Sequence, residues 1–392
     1  MNGADTLRPQ LERWQRRALV VGVVGLALCA GGGWMSRGQF FQSYLLGFLF
    51  WAGLTLGCFA LLLLHQTFGA GWGFVMQRTL EAGTRVFPLL AALFVPLLFG
   101  LHDLYEWTHA EVVAGDPVLT EKSAYLNVGF FTGRAAFYFL AWAGAAYLLN
   151  KWSRELDTSG DPRLAGRLRN AGPPGLLLYG LTATFAGVDW IMSLEPHWFS
   201  TMFGLMLIAG QVLTTLAFVV IVVGRLAEHP PLDKVARPQH FHDFGNLMLA
   251  FTMIWAYLSF SQFLIIWAGN LPETITWYQH RSTGGWQWLA LGLFLFSFAL
   301  PFVLLLSRDL KKNARKLRLI ATWILLARVA DYYWHIAPEF HRDGFSFSLL
   351  DLAVPLALGG IFISLFVSQL RGRSLLPVND PGLDKALAHH VH

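Results

Sequence analysis

The amino-acid sequence predicts an all-α integral membrane protein with ten transmembrane helices. Of its 392 residues, 55% are apolar and only 14% are charged, whereas a soluble domain carries about a quarter charged residues. Ten apolar stretches are each long enough to cross a bilayer, and over so many spans only helices can satisfy the backbone in lipid. The predicted spans are approximately residues 17–36, 41–66, 85–102, 125–149, 174–194, 199–224, 243–268, 285–307, 317–337 and 348–370.

Basic residues are sorted unevenly between the predicted connections. With a cytoplasmic N-terminus, 23 of the 29 Lys and Arg residues fall in cytoplasmic segments, and only Arg37, Lys122, Arg281 and Arg342 fall in outer ones. The positive-inside rule therefore predicts that the N and C termini are both cytoplasmic. The net charge of +5 follows from this topology, so it does not indicate a nucleic-acid partner, and lipid is the expected surrounding.

The connections are short, so the chain is predicted to form a single polytopic membrane domain, 1–392. The longest cytoplasmic connection, 150–173, is rich in Gly and Pro and divides the spans into two halves. The fifth and ninth spans end in similar motifs, GVDWIMSLEPHWF and VADYYWHIAPEFHRDGF, in which Asp189 and Asp331 precede a Pro and Glu pair. Such repetition is typical of membrane folds built from two parallel repeats.

Ionisable residues within and beside the spans are the main functional signal. A charge at the bilayer centre costs about 2.5–3.5 kcal/mol on insertion scales, so such residues are usually functional or paired. Helical rise places nearly all of them in the outer half of the membrane or at its outer surface, where we expect a proton-active pocket. The candidate residues for a proton relay or for contact with a quinone are His102, Asp103, Glu106, Arg134, Asp189, Glu195, Arg328, Asp331 and Asp351.

The buried arginines also have a structural interpretation. Arg134 has no acidic partner on its own helix, so we expect it to pair across helices with Asp189 or Asp331, because an unpaired guanidinium is poorly tolerated in hydrocarbon. Arg328 and Asp331 are three residues apart, a spacing equally consistent with a local ion pair. Both alternatives place a polar centre in the outer half of the bundle.

Two further groups are ambiguous in the same way. His102 and Glu106 are four residues apart on a predicted helix, so they share a face with each other, but together with Asp103 they are also consistent with ordinary interface residues. Asp351 follows Ser348 by three residues, and this spacing favours a helix cap.

On the cytoplasmic side, Asp243 is a good N-cap for the seventh span. Four more ionisable residues lie near that surface in the prediction, and solvation explains them adequately. They are His65, Glu81, His240 and His242.

The sequence offers no pattern for a metal, haem or nucleotide site. The two cysteines, Cys29 and Cys58, lie inside spans and match no CxxC or CxxCH motif, so zinc, iron–sulfur and c-type haem ligation lack ligands. No two histidines face each other at matched depth, as a bis-histidine haem requires. The glycine-rich run at 69–73 follows no strand, which argues against a nucleotide site. We therefore predict that this chain itself binds no metal, haem or flavin; quinone binding and proton or ion passage remain.

Three longer motifs resemble one family. PLLFGLHDLYEWTH at 96–109, GVDWIMSLEPHWFSTMFG at 187–204 and FHDFGNLMLAFTMIWAYLSFSQFLIIWAGNLPE at 241–273 resemble the ActF subunit of alternative complex III, a bacterial quinol:electron-acceptor oxidoreductase. That subunit is similar in turn to the NrfD/polysulfide-reductase membrane-anchor family. The resemblance implies two four-helix bundles, 41–194 and 199–337, with 17–36 and 348–370 as flanking helices.

The resemblance also implies a location and partners. It places the chain in the bacterial inner membrane, beside a paralogous NrfD-like subunit and proteins that carry haems c and iron–sulfur clusters. In that family, quinol oxidation is usually placed on the other NrfD-like subunit. The implied role is an integral membrane subunit of a quinol:cytochrome c or electron-acceptor oxidoreductase that supports quinol oxidation, with proton translocation as a further expectation.

Two alternatives remain open. In one, the chain binds a quinone, menaquinone or ubiquinone, and oxidises the quinol itself. In the other, it is a standalone proton-coupled transporter. The transporter is disfavoured because the charges lie near one surface and no pair of broken helices is evident at the bilayer centre.

Overall fold

The computed structural model describes residues 4–33, 36–69, 71–377, 379, 380 and 383, and within them the chain is helical and contains no strand. The end of the first predicted span, residues 34 and 35, and Lys385, one of the basic residues assigned to the cytoplasm, lie outside the described residues. The α-helices, numbered α1 to α17 in chain order, are Ala4–Gly33, Arg37–Phe68, Gly71–Thr84, Phe87–Phe99, Leu101–Leu104, Ala110–Gly115, Pro117–Lys122, Val128–Ser159, Pro162–Trp190, Phe203–Leu226, Pro238–Gly269, Pro272–Arg281, Trp286–Leu293, Leu300–Leu306, Arg308–Lys312, Ala314–Phe340 and Leu350–Arg371.

Eight helical stretches of the described chain are long and apolar enough to cross a membrane. The chain is therefore an all-α, multi-pass membrane protein, as the composition predicts. The predicted spans 125–149 and 317–337 lie in α8 and α16, which have 32 and 27 residues and so exceed the roughly 20 residues that a crossing needs. These two helices are less apolar than the eight because each contains buried or half-buried ionisable residues within the predicted span.

Helix α2 forms the centre of the bundle. Its sequence is apolar on every face, as expected for a helix surrounded by protein, and it packs against α3, α9, α10 and α17. Two glycines allow the close approach: a Cβ atom on Gly57 would lie 2.1 Å from the Thr215 hydroxyl on α10, and one on Gly53 would lie 2.4 Å from the Tyr332 hydroxyl on α16. The two predicted bundles therefore share an interface along α2, and α1 and α17 pack on each other beside it.

The third span begins much earlier than predicted. The prediction placed a loop before residue 85, but α3 begins at Gly71 and is almost entirely buried, and α4 follows after a short break. Glu81 is 1% exposed, so the prediction that it is solvated is wrong. It accepts hydrogen bonds from Arg78 (2.7 Å), Ser153 (2.6 Å) and Arg373 (3.0 Å), and this neutralisation by two arginines permits the burial.

Other predictions for the same side also fail. His65 and His240 are each 2% exposed, so they are buried rather than solvated. Helix α11 begins at Pro238, which suits the first helical position because its missing N–H costs no hydrogen bond there. Asp243 therefore lies within α11 and is not its N-cap.

The segments 100–127, 191–202, 270–285 and 341–349 lie together at one side of the bundle, which we call the loop side. Polar contacts join these segments and neighbouring helix ends, among them Arg37 to Asp103 (2.9 Å), Lys122 to the Pro196 carbonyl (2.6 Å), Arg281 to Glu195 (3.4 Å) and Trp286 to the His341 carbonyl (3.1 Å). The topology predicted from the basic residues makes this the outer side.

The close packing at Gly57 leads to a stability prediction. We expect Gly57→Leu to destabilise the protein by about 1–3 kcal/mol or more, because overpacking forces neighbouring groups apart and Thr215 already donates a 2.8 Å hydrogen bond to the Leu54 carbonyl there. The matched control is Gly144→Leu on α8, an exposed position at which a Cβ meets nothing within 4 Å. Unfolding midpoints in detergent would compare the two, and equal midpoints would contradict the packing argument.

Candidate functional site

A cavity of about 830 Å³ lies between α11, α12, α13 and α16. Its walls are mainly apolar and aromatic, and its rim contains aromatic residues that are exposed on the surface of the protein, including Phe260 (61%) and Trp267 (65%). Exposed aromatic side chains of this kind suit contact with lipid, and the exposed polar residues Gln279, Ser282 and Gln287 also line the cavity. Polar side chains are few, and they are Ser259, Gln262, Tyr278, Gln279, Arg281, Ser282, Gln287, Asp331 and His335.

Local sequence features shape the walls. Helix α11 ends at Gly269 and is capped by Asn270, whose φ of 46° is positive, and Pro272 begins the short helix α12. The next span is interrupted by a π-helical segment, Phe294–Ala299, and such segments are frequent at functional sites. Helix α12 is anchored by Trp277, which is 1% exposed and stacks on Trp198 with ring centres 4.2 Å apart.

Two polar residues of the lining, Asp331 and His335, belong to a buried charged group on α16. Arg328 Nη2 lies 2.9 Å from Asp331 Oδ2, and His335 Nε2 lies 3.7 Å from the same oxygen. All three residues are at most 2% exposed. A Cβ atom on Gly210 would lie 2.0 Å from Arg328 Nη2, so a side chain at this position of α10 would displace the guanidinium.

This group keeps unused hydrogen-bonding capacity. Among the described residues, Arg328 Nε and Nη1, Asp331 Oδ2 and His335 Nδ1 have no well-oriented hydrogen-bond partner. Native proteins satisfy about 90% or more of such buried groups. Unsatisfied donors and acceptors beside an apolar cavity are therefore available to a polar ligand group.

Arg281 connects the cavity to the loop side. Its guanidinium donates to the carbonyls of Trp277 (3.1 Å) and His335 (3.0 Å) and to Glu195 Oε2 (3.4 Å), and its central carbon lies 3.1 Å from the centre of the Trp277 ring. Burial lowers the pKa of Arg281 to about 10, so it remains a cation at neutral pH.

Glu195, His280 and Glu339 meet next to Arg281, and we call these three residues the loop-side cluster. Each contributes one nitrogen or oxygen atom to a group in which all three atoms lie within 4.8 Å of one another. Burial, followed by the nearby charge of Glu195, raises the pKa of Glu339 above its usual value, and burial lowers the pKa of His280. Both shifts favour the neutral form of the side chain.

Arg134 pairs with Asp189, so this prediction is confirmed. Arg134 Nε and Nη2 each donate to one oxygen of the Asp189 carboxylate at 2.9 Å, and the Tyr138 hydroxyl donates to it at 2.8 Å. Asp189 is fully buried and does not line the cavity. Because its two oxygens are held by three donors, the pair acts as a link between α8 and α9.

The residues at the end of the third span do not reach the cavity. The helix ends at Leu104, so the prediction that His102 and Glu106 share a helix face is wrong. Gly100 interrupts the helix before this point, and Tyr105 takes an extended conformation. Asp103 pairs with the exposed Arg37, and His102 contacts the Thr108 hydroxyl at 3.1 Å.

Asp351 has the capping geometry that its spacing predicted. Its Oδ2 accepts from the Ser348 backbone N–H at 2.9 Å. Its other oxygen accepts from the side chains of Ser43 (2.6 Å) and Gln39 (2.9 Å), so the carboxylate also ties α17 to α2. It does not line the cavity.

The structure thus brings only some of the predicted residues together. Glu195 contacts Arg281, which lines the same cavity as Asp331, whereas Asp189 lies in a separate, saturated pair. Sequence reasoning missed the partners Arg281, His280, His335 and Glu339. One signal was available, because Asp331, His335 and Glu339 recur every four residues and so form a polar stripe on one face of α16.

No protein-family model matches the chain, and no curated protein is significantly similar to it. The fold and cavity define a multi-pass helical membrane protein with a mainly apolar cavity that reaches the buried Asp331 and His335.

The saturated pair between α8 and α9 leads to a second prediction. We expect Asp189→Ala to destabilise the protein by about 3–5 kcal/mol, because it leaves the largely buried Arg134 without a counter-charge. The matched control is Asp103→Ala, which removes the partner of Arg37, a side chain that is 64% exposed. Such surface pairs contribute about 1 kcal/mol or less. Thermal unfolding in detergent separates the two cases, and similar midpoints for both variants would contradict this assignment.

Proposed function

We propose that this chain is an integral membrane subunit of a bacterial quinol:electron-acceptor oxidoreductase of the alternative complex III type, and that it binds the quinone ring in the cavity between α11, α12, α13 and α16. The observation that carries the proposal is the meeting of a mainly apolar cavity with the under-satisfied Asp331 and His335. Motifs that resemble the ActF subunit support the choice of complex.

The cavity suits a quinone in size and chemistry. Its volume of about 830 Å³ falls within the roughly 300–1,000 Å³ typical of small-molecule sites. A quinone needs apolar walls for its ring and tail, and polar partners for its two oxygens. The exposed aromatic residues allow the quinone tail to extend into the bilayer. At the buried end of the cavity, Asp331 and His335 provide hydrogen-bond acceptors and donors.

The chemistry of quinol oxidation assigns roles to these residues. A quinol becomes a quinone by losing two protons and two electrons. Asp331 and His335 are positioned to accept protons from the two hydroxyl groups, since a general base must lie within hydrogen-bond reach of the proton it takes. The electrons pass to a haem c or iron–sulfur centre on a partner subunit, the class of partner that the resemblance implies, beside a paralogous NrfD-like subunit.

The proposal includes a topology. The ten predicted spans, with α8 and α16 crossing as well as the eight apolar stretches, place both termini in the cytoplasm and the loop side outside. The distribution of the 29 basic residues supports this arrangement. Protons taken by Asp331 and His335 would then leave toward the outer side of the bacterial inner membrane through the neighbourhood of Arg281.

A standalone proton-coupled transporter receives less support. A transporter site opens in turn to the two aqueous sides, whereas the lining of this cavity is mainly apolar and its exposed aromatic side chains suit contact with lipid. A proton relay through Asp189 is also disfavoured, because Arg134 and Tyr138 already occupy its oxygens.

The cavity makes a direct binding prediction. Purified protein in detergent should bind decylubiquinone or a short-chain menaquinone analogue, and His335→Phe should weaken that binding about tenfold or more. A lost hydrogen bond to a charged or buried group is worth about 1.5–3 kcal/mol, which corresponds to that range. Ala290→Trp places a bulky indole in the cavity without changing any polar group, and it should abolish binding. Equilibrium titration followed by tryptophan quenching gives the dissociation constants.

The control is Asp103→Asn, a candidate residue that lies outside the cavity and should bind as tightly as the unchanged protein. Circular dichroism and unfolding midpoints establish that each variant is folded. Unchanged affinity in folded His335→Phe and Ala290→Trp variants would remove the cavity as the quinone site and leave a scaffolding or proton-conducting role.

A further inference from the structure

A second site lies outside the cavity, on the loop side. Glu195 comes from the segment after α9, His280 from α12 and Glu339 from the end of α16, so three separate parts of the chain converge there. Glu195 Oε1 lies 3.3 Å from His280 Nδ1. The quinone proposal does not use any of these three side chains.

The two carboxylates are held so that each directs only one oxygen away from its arginine. Glu195 Oε2 accepts from Arg281 at 3.4 Å, which leaves Oε1 facing His280. Glu339 Oε1 pairs with Arg342, which leaves Oε2. Partners that orient ligand side chains in this way are typical of metal sites.

An independent observation points to a missing ligand. Glu339 Oε2 is buried and has no hydrogen-bond partner among the described residues, and its side chain is only 5% exposed. His280 Nδ1 is likewise buried without a well-oriented hydrogen bond, although it faces Glu195 Oε1. A carboxylate oxygen and an imidazole nitrogen left in this state are costly unless something binds them.

In contrast to the prediction from the sequence that the chain binds no metal, we propose that Glu195, His280 and Glu339 bind a divalent transition-metal ion, with Zn²⁺ the best fit, in a site with three protein ligands and one water. Zinc takes imidazole nitrogen and carboxylate oxygen at about 2.0–2.2 Å, which in a tetrahedron separates the ligand atoms by roughly 3.3–3.6 Å. The contact between Glu195 and His280 already has this length. The other separations are within 4.8 Å, so small side-chain rotations complete the site.

The site also has an entry path and a structural consequence. The His280 side chain is 26% exposed, so an ion can reach the cluster from the loop side. A bound ion would fasten α12 to the end of α16. Because Arg281 follows His280 and lines the cavity, this link would hold one wall of the cavity in place. The two arginines offset part of the ligand charge, so we expect weaker binding than at structural zinc sites.

The test uses the full chain with the three histidines of the C-terminal HHVH run replaced, as His389→Ala, His390→Ala and His392→Ala, because such a run binds zinc by itself. After treatment with chelator, this protein should bind one Zn²⁺ saturably in calorimetry, and its unfolding midpoint should rise. Co²⁺ in place of zinc should give the intense visible absorption of a tetrahedral site. His280→Ala should weaken binding at least tenfold and remove the cobalt spectrum.

Glu339→Gln is the second variant, and it should have the same effect because it keeps the shape of the side chain but removes the anionic oxygen. His109→Ala is the matched control, since His109 lies beside His102 elsewhere on the loop side with ring centres 5.0 Å apart; it should leave binding unchanged. Because the His280 side chain is partly exposed, we expect the His280→Ala variant to fold. The proposal is overturned if the protein with only the three C-terminal histidines replaced shows no saturable zinc binding. It is also overturned if adding His280→Ala to that protein leaves its zinc affinity unchanged. Neither result depends on quinone binding.

Discussion

The cost of placing charge in lipid is the constraint on which this structure depends. A bilayer offers no water to an ionised side chain, so each one must find its partner within the protein. On the side opposite the loops, Glu81 is buried between two arginines and thereby joins α3, α8 and the segment after α17. Toward the loop side, Arg134 and Asp189 join α8 to α9 in the same manner. The positions of the helices follow in large part from these pairings, while apolar packing around α2 fills the space between them.

The two acidic residues in the repeated motif have different surroundings. Asp189 accepts hydrogen bonds from three donors. Among the charged groups of the described residues, Asp331 contacts only Arg328 and, at 3.7 Å, the His335 ring, and it lines the cavity. A saturated pair leaves no buried oxygen of the carboxylate without a partner. An under-satisfied pair raises the free energy of the fold, and proteins usually retain such a cost only where a ligand or a reaction uses it. The same motif therefore serves structure in one half of the chain, and in our proposal it serves chemistry in the other half.

The sequence predicts the helical membrane fold well because each apolar run is a signal averaged over many residues. It also predicts that Arg134 pairs with Asp189 or Asp331 on another helix, because a lone arginine in a helix must find an acid elsewhere, and the structure selects Asp189. It fails where a single tertiary contact decides the outcome. Burial of α3 depends on Arg373, almost 300 residues from Glu81, and no local pattern contains that contact.

The loop-side cluster shows a second limit of prediction from the sequence. Glu195, His280 and Glu339 belong to three segments whose spacing in the chain carries no information about their meeting, since the turn at Asn270 and the helix α12 bring His280 into place. Only the four-residue stripe on α16 could have been read in advance. The break at Gly100 had no comparable signal, which is why His102 and Glu106 were placed on a shared face that does not form.

The fit between Gly210 and Arg328 has a consequence for how this protein can change over evolutionary time. The guanidinium of Arg328 occupies the volume that any side chain at position 210 would need, so neither position can vary alone without a clash or a gap. A chain that lost Arg328 to a small residue would gain room for a larger one at Gly210, and a basic residue introduced there could approach Asp331 from α10. We therefore expect the two positions to be coupled, so that a substitution at one suppresses the defect caused by a substitution at the other.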